Sequence, residues 1–185
     1  MLAGAVDARR VGRVHSALDR FLAPEHAVRV TLIPPPLVAL AAAMAQRALT
    51  GRTPAPSLAR AAVATSIAVV GGALAGAAAS EFRRRGTTVE PIHPDRASAL
   101  VTTGANSISR NPMYVGMAGL LFAHAVWRGS WVALAPVAGF IGVIDRLQIK
   151  AEESALGEKF GTEYADYLDA TPRWLDRRSL GLERP

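Results

Sequence analysis

Two clusters in the C-terminal half of the chain carry residue types that bind charged groups. The first is Arg110-Asn111-Pro112-Met113-Tyr114, preceded by Leu100-Val101-Thr102-Thr103-Gly104. The second is Glu152-Glu153 with Leu156, followed by Phe160-Gly161, Tyr164, Tyr167 and Arg173. An arginine can grip a carboxylate through two parallel N–H groups. Asparagine before proline is a helix-start signal, because the asparagine can cap the first turn and proline's missing N–H costs nothing at the first helical position. A helix start also turns free N–H groups and a positive dipole end toward an anion. Neighbouring helical residues point about 100° apart, so Glu152 and Glu153 do not face one pocket equally, and one would contact a ligand while the other supports it. Tyr164 and Tyr167 share a helix face with Phe160 and could wall a pocket, with Gly161 loosening or ending the helix before them.

Each of these residues also has a plainer reading. Asn111-Pro112 could simply begin a helix, and Arg110 could snorkel to lipid headgroups. The glutamates could pair in solvent with Lys150 and Lys159, and the tyrosines could anchor a membrane interface. His93, in Ile92-His93-Pro94-Asp95, is a weak candidate base in a loop. His15, His26 and His124 have no partners at ligand spacing, so no metal site is expected. The chain has no cysteine, which removes disulfides, thiolate metal sites and a cysteine nucleophile from consideration.

The elements that must position these clusters are apolar helices. Hydrophobic residues make up 50% of the 185, aromatics only 6%, and mean hydropathy is +0.20, so Ala, Val, Leu and Ile dominate in long blocks. Four spans are expected. The first, Val28 to Leu49, is interrupted by Pro34-Pro35-Pro36; a helix starting at the prolines is shorter than the roughly 20 residues a bilayer needs. The second, Leu58 to Ala79, carries Gly71-Gly72 and Gly76 as a small face for close helix contact. The third runs from Pro112 to Trp127 and the fourth from Trp131 to Leu147. Arg128-Gly129-Ser130 joins these two as antiparallel neighbours. Ahead of them, Arg9, Arg10, Arg13 and Arg20 alternate with Val11, Val14, Leu18, Phe21 and Leu22 as in an amphipathic interfacial helix. The expected class is thus all-α, a polytopic membrane protein of about four transmembrane helices, with an N-terminal amphipathic helix and a cytoplasmic C-terminal helix. Its expected divisions are 1–27, 28–80 and 81–185.

The formal charge of +6 does not point to nucleic acid, because the basic residues flank apolar blocks and are not interleaved with aromatics along a surface. With the N-terminus inside, only Arg47, Arg52, Arg60 and Arg128 of the 21 lysines and arginines fall on the far side. That bias places both termini and both polar clusters in the cytoplasm, and a bacterial inner membrane is the expected location. Nearly charge-free span interiors argue against a transporter.

From about Gly86 to Trp174 the chain resembles the catalytic region of the integral-membrane methyltransferases that include isoprenylcysteine carboxyl methyltransferase and the phospholipid N-methyltransferases. The resemblance is carried by Gly86-Thr87-Thr88, the two clusters above in their order and spacing, and Arg173. It implies transfer of a methyl group from S-adenosylmethionine to a lipophilic or lipid acceptor, on a helical membrane fold without a Rossmann sheet. Carried over residue by residue, it implies a cofactor site of Gly104, Asn111, Pro112, Tyr114, Glu152 and Tyr164, with Arg110, Arg173 and Glu153 at the reaction centre. Asn106 and Ser107 stand where relatives carry an aromatic and a basic residue. Methyl transfer from a sulfonium is a displacement that asks the protein chiefly for alignment and exclusion of water. Arg110 and Arg173 could position a carboxylate acceptor, whereas an amine acceptor must lose a proton to His93, Glu152, Glu153 or water. The expectation is O-methylation of a lipophilic carboxylate. Its alternatives are phospholipid N-methylation and a non-catalytic lipid-binding protein of the same fold.

Overall fold

Proline at the start and glycine at the end punctuate the helices of the computed structural model, which describes residues 34–84 and 99–181. Helix α1 spans Pro35–Thr50 and stops at Gly51, whose N–H bonds back to Arg47 O. Helix α2 spans Leu58–Arg84. After a 3-10 turn at Gly104–Ser107, α3 covers Pro112–Arg128 and ends on Gly129 in the left-handed conformation. A short 3-10 turn at Trp131–Ala133 leads into α4, Leu134–Val143. The rod continues through a π-helical segment, Ile144–Ile149, into α5, Lys150–Phe160. Helix α6, Thr162–Ala170, follows a break at Gly161, and a 3-10 turn at Arg177–Leu180 comes last. Among the described residues there is no strand.

Helix α3 is the hub. It lies against α2 along one side and against α1 and α4 along another. The α2 contact is made by small residues: Ala64, Gly71 and Ala78 are the buried positions of α2, spaced at every second turn. At the crossing, a Cβ on Gly116 would lie 2.5 Å from Gly71 O and 2.7 Å from Ala75 Cβ, so only glycine lets the two backbones meet there. On the other side of α3, Leu121 and Ala125 join Val137, Phe140 and Ile144 in the core, and Val38, Ala39 and Ala42 of α1 cover them.

Two helical rods are long and apolar enough to cross a membrane, Leu58–Arg84 and the continuous Trp131–Phe160. At 1.5 Å per residue, the 27 residues of α2 reach about 40 Å. Val63, Val69 and Val70 stand exposed on its outer face, which is the face a helix offers to lipid. Helices α1 and α3, of 16 and 17 residues, are shorter than the roughly 20 expected of an upright span. The second, third and fourth apolar blocks are therefore helices at the expected places, and the second and fourth run beyond their expected ends. The amphipathic segment 1–27, Gly86-Thr87-Thr88 and His93 lie outside the described residues.

Candidate active site

The site forms where the start of α3, the π-helical segment with α5, and the chain after α6 converge. Gly104 opens the 3-10 turn at φ +62°, a conformation that costs a side-chain-bearing residue energy. Beside it, Thr103 Oγ1 donates to Glu81 Oε1 at 3.0 Å, tying the end of α2 to this loop. Residues 108–111 then zip onto the segment after α6. Arg110 N donates to Pro172 O at 2.8 Å, and Ser109 Oγ and Asn111 Nδ2 both donate to Arg173 O at 3.0 Å. Ser179 Oγ adds a bond of 2.7 Å to Ile108 O.

Asn111 does occupy the cap position of α3, with Pro112 at the first turn, but the expected capping bond is absent. Its amide instead donates to Arg173 O, the carbonyl that Ser109 Oγ also reaches, because the C-terminal segment brings that acceptor beside it. The asparagine is thus a cross-chain clip.

The glutamates divide as their helical spacing requires. Glu152 Oε1 accepts from Tyr114 Oη at 2.6 Å and from Gln148 Nε2 at 2.7 Å. Its other oxygen, Oε2, has no protein partner among the described residues. Glu153 instead lies between two guanidinium groups: Oε1 accepts from Arg110 NH2 at 2.9 Å and from Arg173 Nε at 3.0 Å, and Oε2 pairs with Arg173 NH2. Arg173 also reaches Asp145 at 3.3 Å, and Trp174 Nε1 holds the same carboxylate at 2.9 Å. These acidic partners hold Arg173 above its ordinary pKa, Glu153 first among them. Arg110 NH1 is spent on Leu168 O and Thr171 O, at 2.9 and 2.8 Å.

Both tyrosines are buried, which removes their reading as exposed interfacial anchors. Their rings meet edge to face with centroids 6.2 Å apart, and Tyr167 Oη donates to Asn106 O at 2.6 Å. Burial, reinforced by the Glu153 charge, pushes the Tyr164 hydroxyl up to about 12, so it stays protonated. Gly161, at φ +52°, makes the corner that folds α6 back and brings the tyrosines to this place.

Arg110, Tyr114, Glu152, Glu153, Tyr164 and Arg173 therefore share one constellation, joined directly or through a common neighbour. Gly104 stands at its edge, on the Glu81 side. Asp145, Gln148, Trp174 and Ser109 belong to it as well and were not among the residues expected from sequence. The Gln148 to Glu152 spacing of one helical turn was a legible signal. Asp145 was not, since it is a lone acid at the end of an apolar run. The π-helical turn, a feature frequent at functional sites, carries both Asp145 and Gln148.

Two acids, Asp145 and Glu153, thus meet two guanidinium groups at the end of a helical bundle, with Glu152 beside them on Tyr114 and Gln148. The family described as phospholipid methyltransferase matches residues 59–163, more than half of the chain, from the first turn of α2 to the start of α6. This chain belongs to the phospholipid methyltransferase family. It is a membrane methyltransferase on that ground. The chain is also similar to an uncharacterized protein of Haemophilus influenzae, 41% identical over 63 residues, which are 34% of this chain and the whole of that protein. No solved structure matches it. Within the phospholipid methyltransferase match lie Gly104, Arg110 to Tyr114, Glu152 and Glu153; Tyr164, Tyr167 and Arg173 fall just beyond it.

Proposed function

We propose that the chain transfers a methyl group from S-adenosylmethionine to the neutral form of a lipid amine at the membrane surface, leaving S-adenosylhomocysteine, with the amine's proton passing to Glu152 or to water. The residues fit such a cofactor on three counts. Arg110 Nε and Asn106 Nδ2 are buried donors without a protein partner, suited to a carboxylate. Glu152 Oε2 is an open acceptor suited to ammonium or hydroxyl groups. The Glu152 carboxylate, which no guanidinium group engages, would complement a sulfonium cation. When bound, the cofactor supplies an already activated methyl group, which is why the chain needs neither a triad nor a metal. Gly104, Asn111, Pro112, Tyr114, Glu152 and Tyr164 hold it. Arg110, Glu153 and Arg173 lock the C-terminal segment over the reaction centre and keep water out.

The acceptor class rests on one observation. The expectation of a carboxylate acceptor depended on free arginines, but Arg173 is engaged by Glu153 and Asp145, and the terminal nitrogens of Arg110 by Glu153 and two carbonyls, leaving Arg110 Nε for the cofactor's own carboxylate. A site whose guanidinium groups are already paired with carboxylates offers an acceptor carboxylate no free cation to bind. Phospholipid N-methylation is therefore preferred to O-methylation.

Calorimetry with S-adenosylhomocysteine tests the cofactor reading. The purified protein is expected to bind saturably, and Glu152→Gln to bind about tenfold or more weakly, since it replaces the open acceptor oxygen with a donor. A well-folded protein that does not bind would favour the non-catalytic lipid-binding reading. Transfer of labelled methyl to membrane lipids then separates the acceptors. N-methyl label survives mild alkali, whereas a methyl ester is released by it.

A further inference from the structure

At the end of the bundle away from this site, α1 carries a fully buried polar side chain, Gln46. Its Nε2 donates to Leu121 O and to Ala133 O, each at 2.9 Å. These two carbonyls decide the amide orientation, since the reverse would set oxygen against oxygen twice. Both hydrogens of the amide are then used, and Oε1 can only accept. Its partner, at 2.7 Å, is Nδ1 of His124. That nitrogen must therefore carry the proton. In the neutral ring the opposite nitrogen, Nε2, is left as an acceptor.

The His124 ring lines a crevice of about 310 Å³ between α2 and α3, open along its length and walled also by Thr65, Ala68, Leu120, Ala123 and Trp127. Its volume is at the lower end of small-ligand sites, and its lining side chains are apolar apart from His124, the Thr65 hydroxyl and the Trp127 indole N–H. His124 is one turn from the end of α3 at Arg128, and Trp127 and Trp131 flank that end, as aromatics do at the headgroup level of a bilayer. A ligand here needs an apolar body along Ala68 and Leu120 and one hydrogen-bond donor at interface depth.

We infer that this crevice binds a membrane lipid alcohol, whose hydroxyl donates to Nε2 of His124 while its hydrocarbon body fills the gap between α2 and α3. An ester or ether lipid of the same shape leaves Nε2 without a donor, so the crevice selects the free hydroxyl. The site is separate from the methyltransferase constellation and does not depend on that reading.

The test uses the full chain in phosphatidylcholine nanodiscs doped with 9,10-dibromostearyl alcohol or with its methyl ether, the bromines quenching Trp127. Quenching by the alcohol is expected to saturate at a mole fraction about tenfold below that of the ether. Trp127→Phe should remove the saturating component. His124→Phe should make alcohol and ether alike. Ala68→Leu, which leaves the Gln46 network untouched and fills the crevice, should abolish saturation while S-adenosylhomocysteine binding is retained. Equal, linear quenching by both probes in the unmodified protein would overturn the inference, as would saturation that survives Ala68→Leu. Concentration-dependent self-association that blocks the probe would overturn it too, assigning the crevice to a second copy of the chain.

Discussion

At the scale of single residues, the two adjacent glutamates have different duties, and conservative substitutions separate them. Glu153 neutralises Arg110 and Arg173 through both of its oxygens, with its side chain and that of Arg110 largely shielded from solvent. Glu153→Gln leaves Arg110 without its anionic partner and Arg173 with Asp145 alone. We expect a loss of about 2–3 kcal/mol of stability, read as a lowered melting temperature in detergent, together with loss of methyl transfer. Glu152→Gln behaves differently, because an amide oxygen can still accept from Tyr114 and Gln148. Its stability, read from the melting temperature, is expected to stay within about 1 kcal/mol of the parent while cofactor affinity falls. If the two variants lost stability equally, the division of labour drawn from their hydrogen bonds would be wrong.

At the scale of elements, the α2–α3 crossing holds the site end of α2, and with it Glu81, beside the Thr103-Gly104 turn. Gly116→Ala drives a methyl group into Gly71 O and Ala75, neither of which can yield without parting the helices. The expected cost is about 1–3 kcal/mol. Gly72→Ala is the control on the same helix pair: nothing lies within 4 Å of its Cβ position, and an exposed glycine-to-alanine change in a helix is neutral or slightly stabilising. Thermal unfolding of the two variants, monitored by circular dichroism, checks both, and a Gly72→Ala loss as large as that of Gly116→Ala would refute the close crossing. The rod from Trp131 to Phe160 makes the same point in another way. Its π-helical turn adds a residue to the ladder just where Asp145 must face the chain after α6 and Gln148 must reach Glu152.

At the scale of the whole molecule, α2 and the Trp131–Phe160 rod are long and apolar enough to cross the membrane, and we propose that they do so and that α1 and α3 complete four spans by tilt and by local thinning of the bilayer. We propose the orientation that the basic residues favour, with the candidate site facing the cytoplasm and the Gln46 and His124 pair toward the opposite face. A chain without cysteine makes this direct to test. Ser57→Cys, exposed just before α2, should react with an impermeant maleimide in intact cells, and Glu158→Cys, exposed on α5, only after lysis. The reverse pattern would invert the protein in the membrane.

Helix positions were legible because they depend on local chemistry: apolar blocks of helix length, prolines at helix starts, glycines at Gly51, Gly129 and Gly161. The two clusters of site residues were legible because their types and order are set within short stretches of chain. Which side chain meets which was not. Asn111 has every local mark of a cap and bonds Arg173 O instead, since a carbonyl distant in sequence arrives beside it. Arg110 and Arg173 look like free anion binders until Glu153 is set between them, and Gln46 looks like an accident in an apolar helix until Leu121 O, Ala133 O and His124 surround it. A sequence by itself determines those features that depend on neighbours along the chain; the pairing of buried donors and acceptors across helices is decided only by the tertiary structure, because each buried group takes the partner that packing brings within reach.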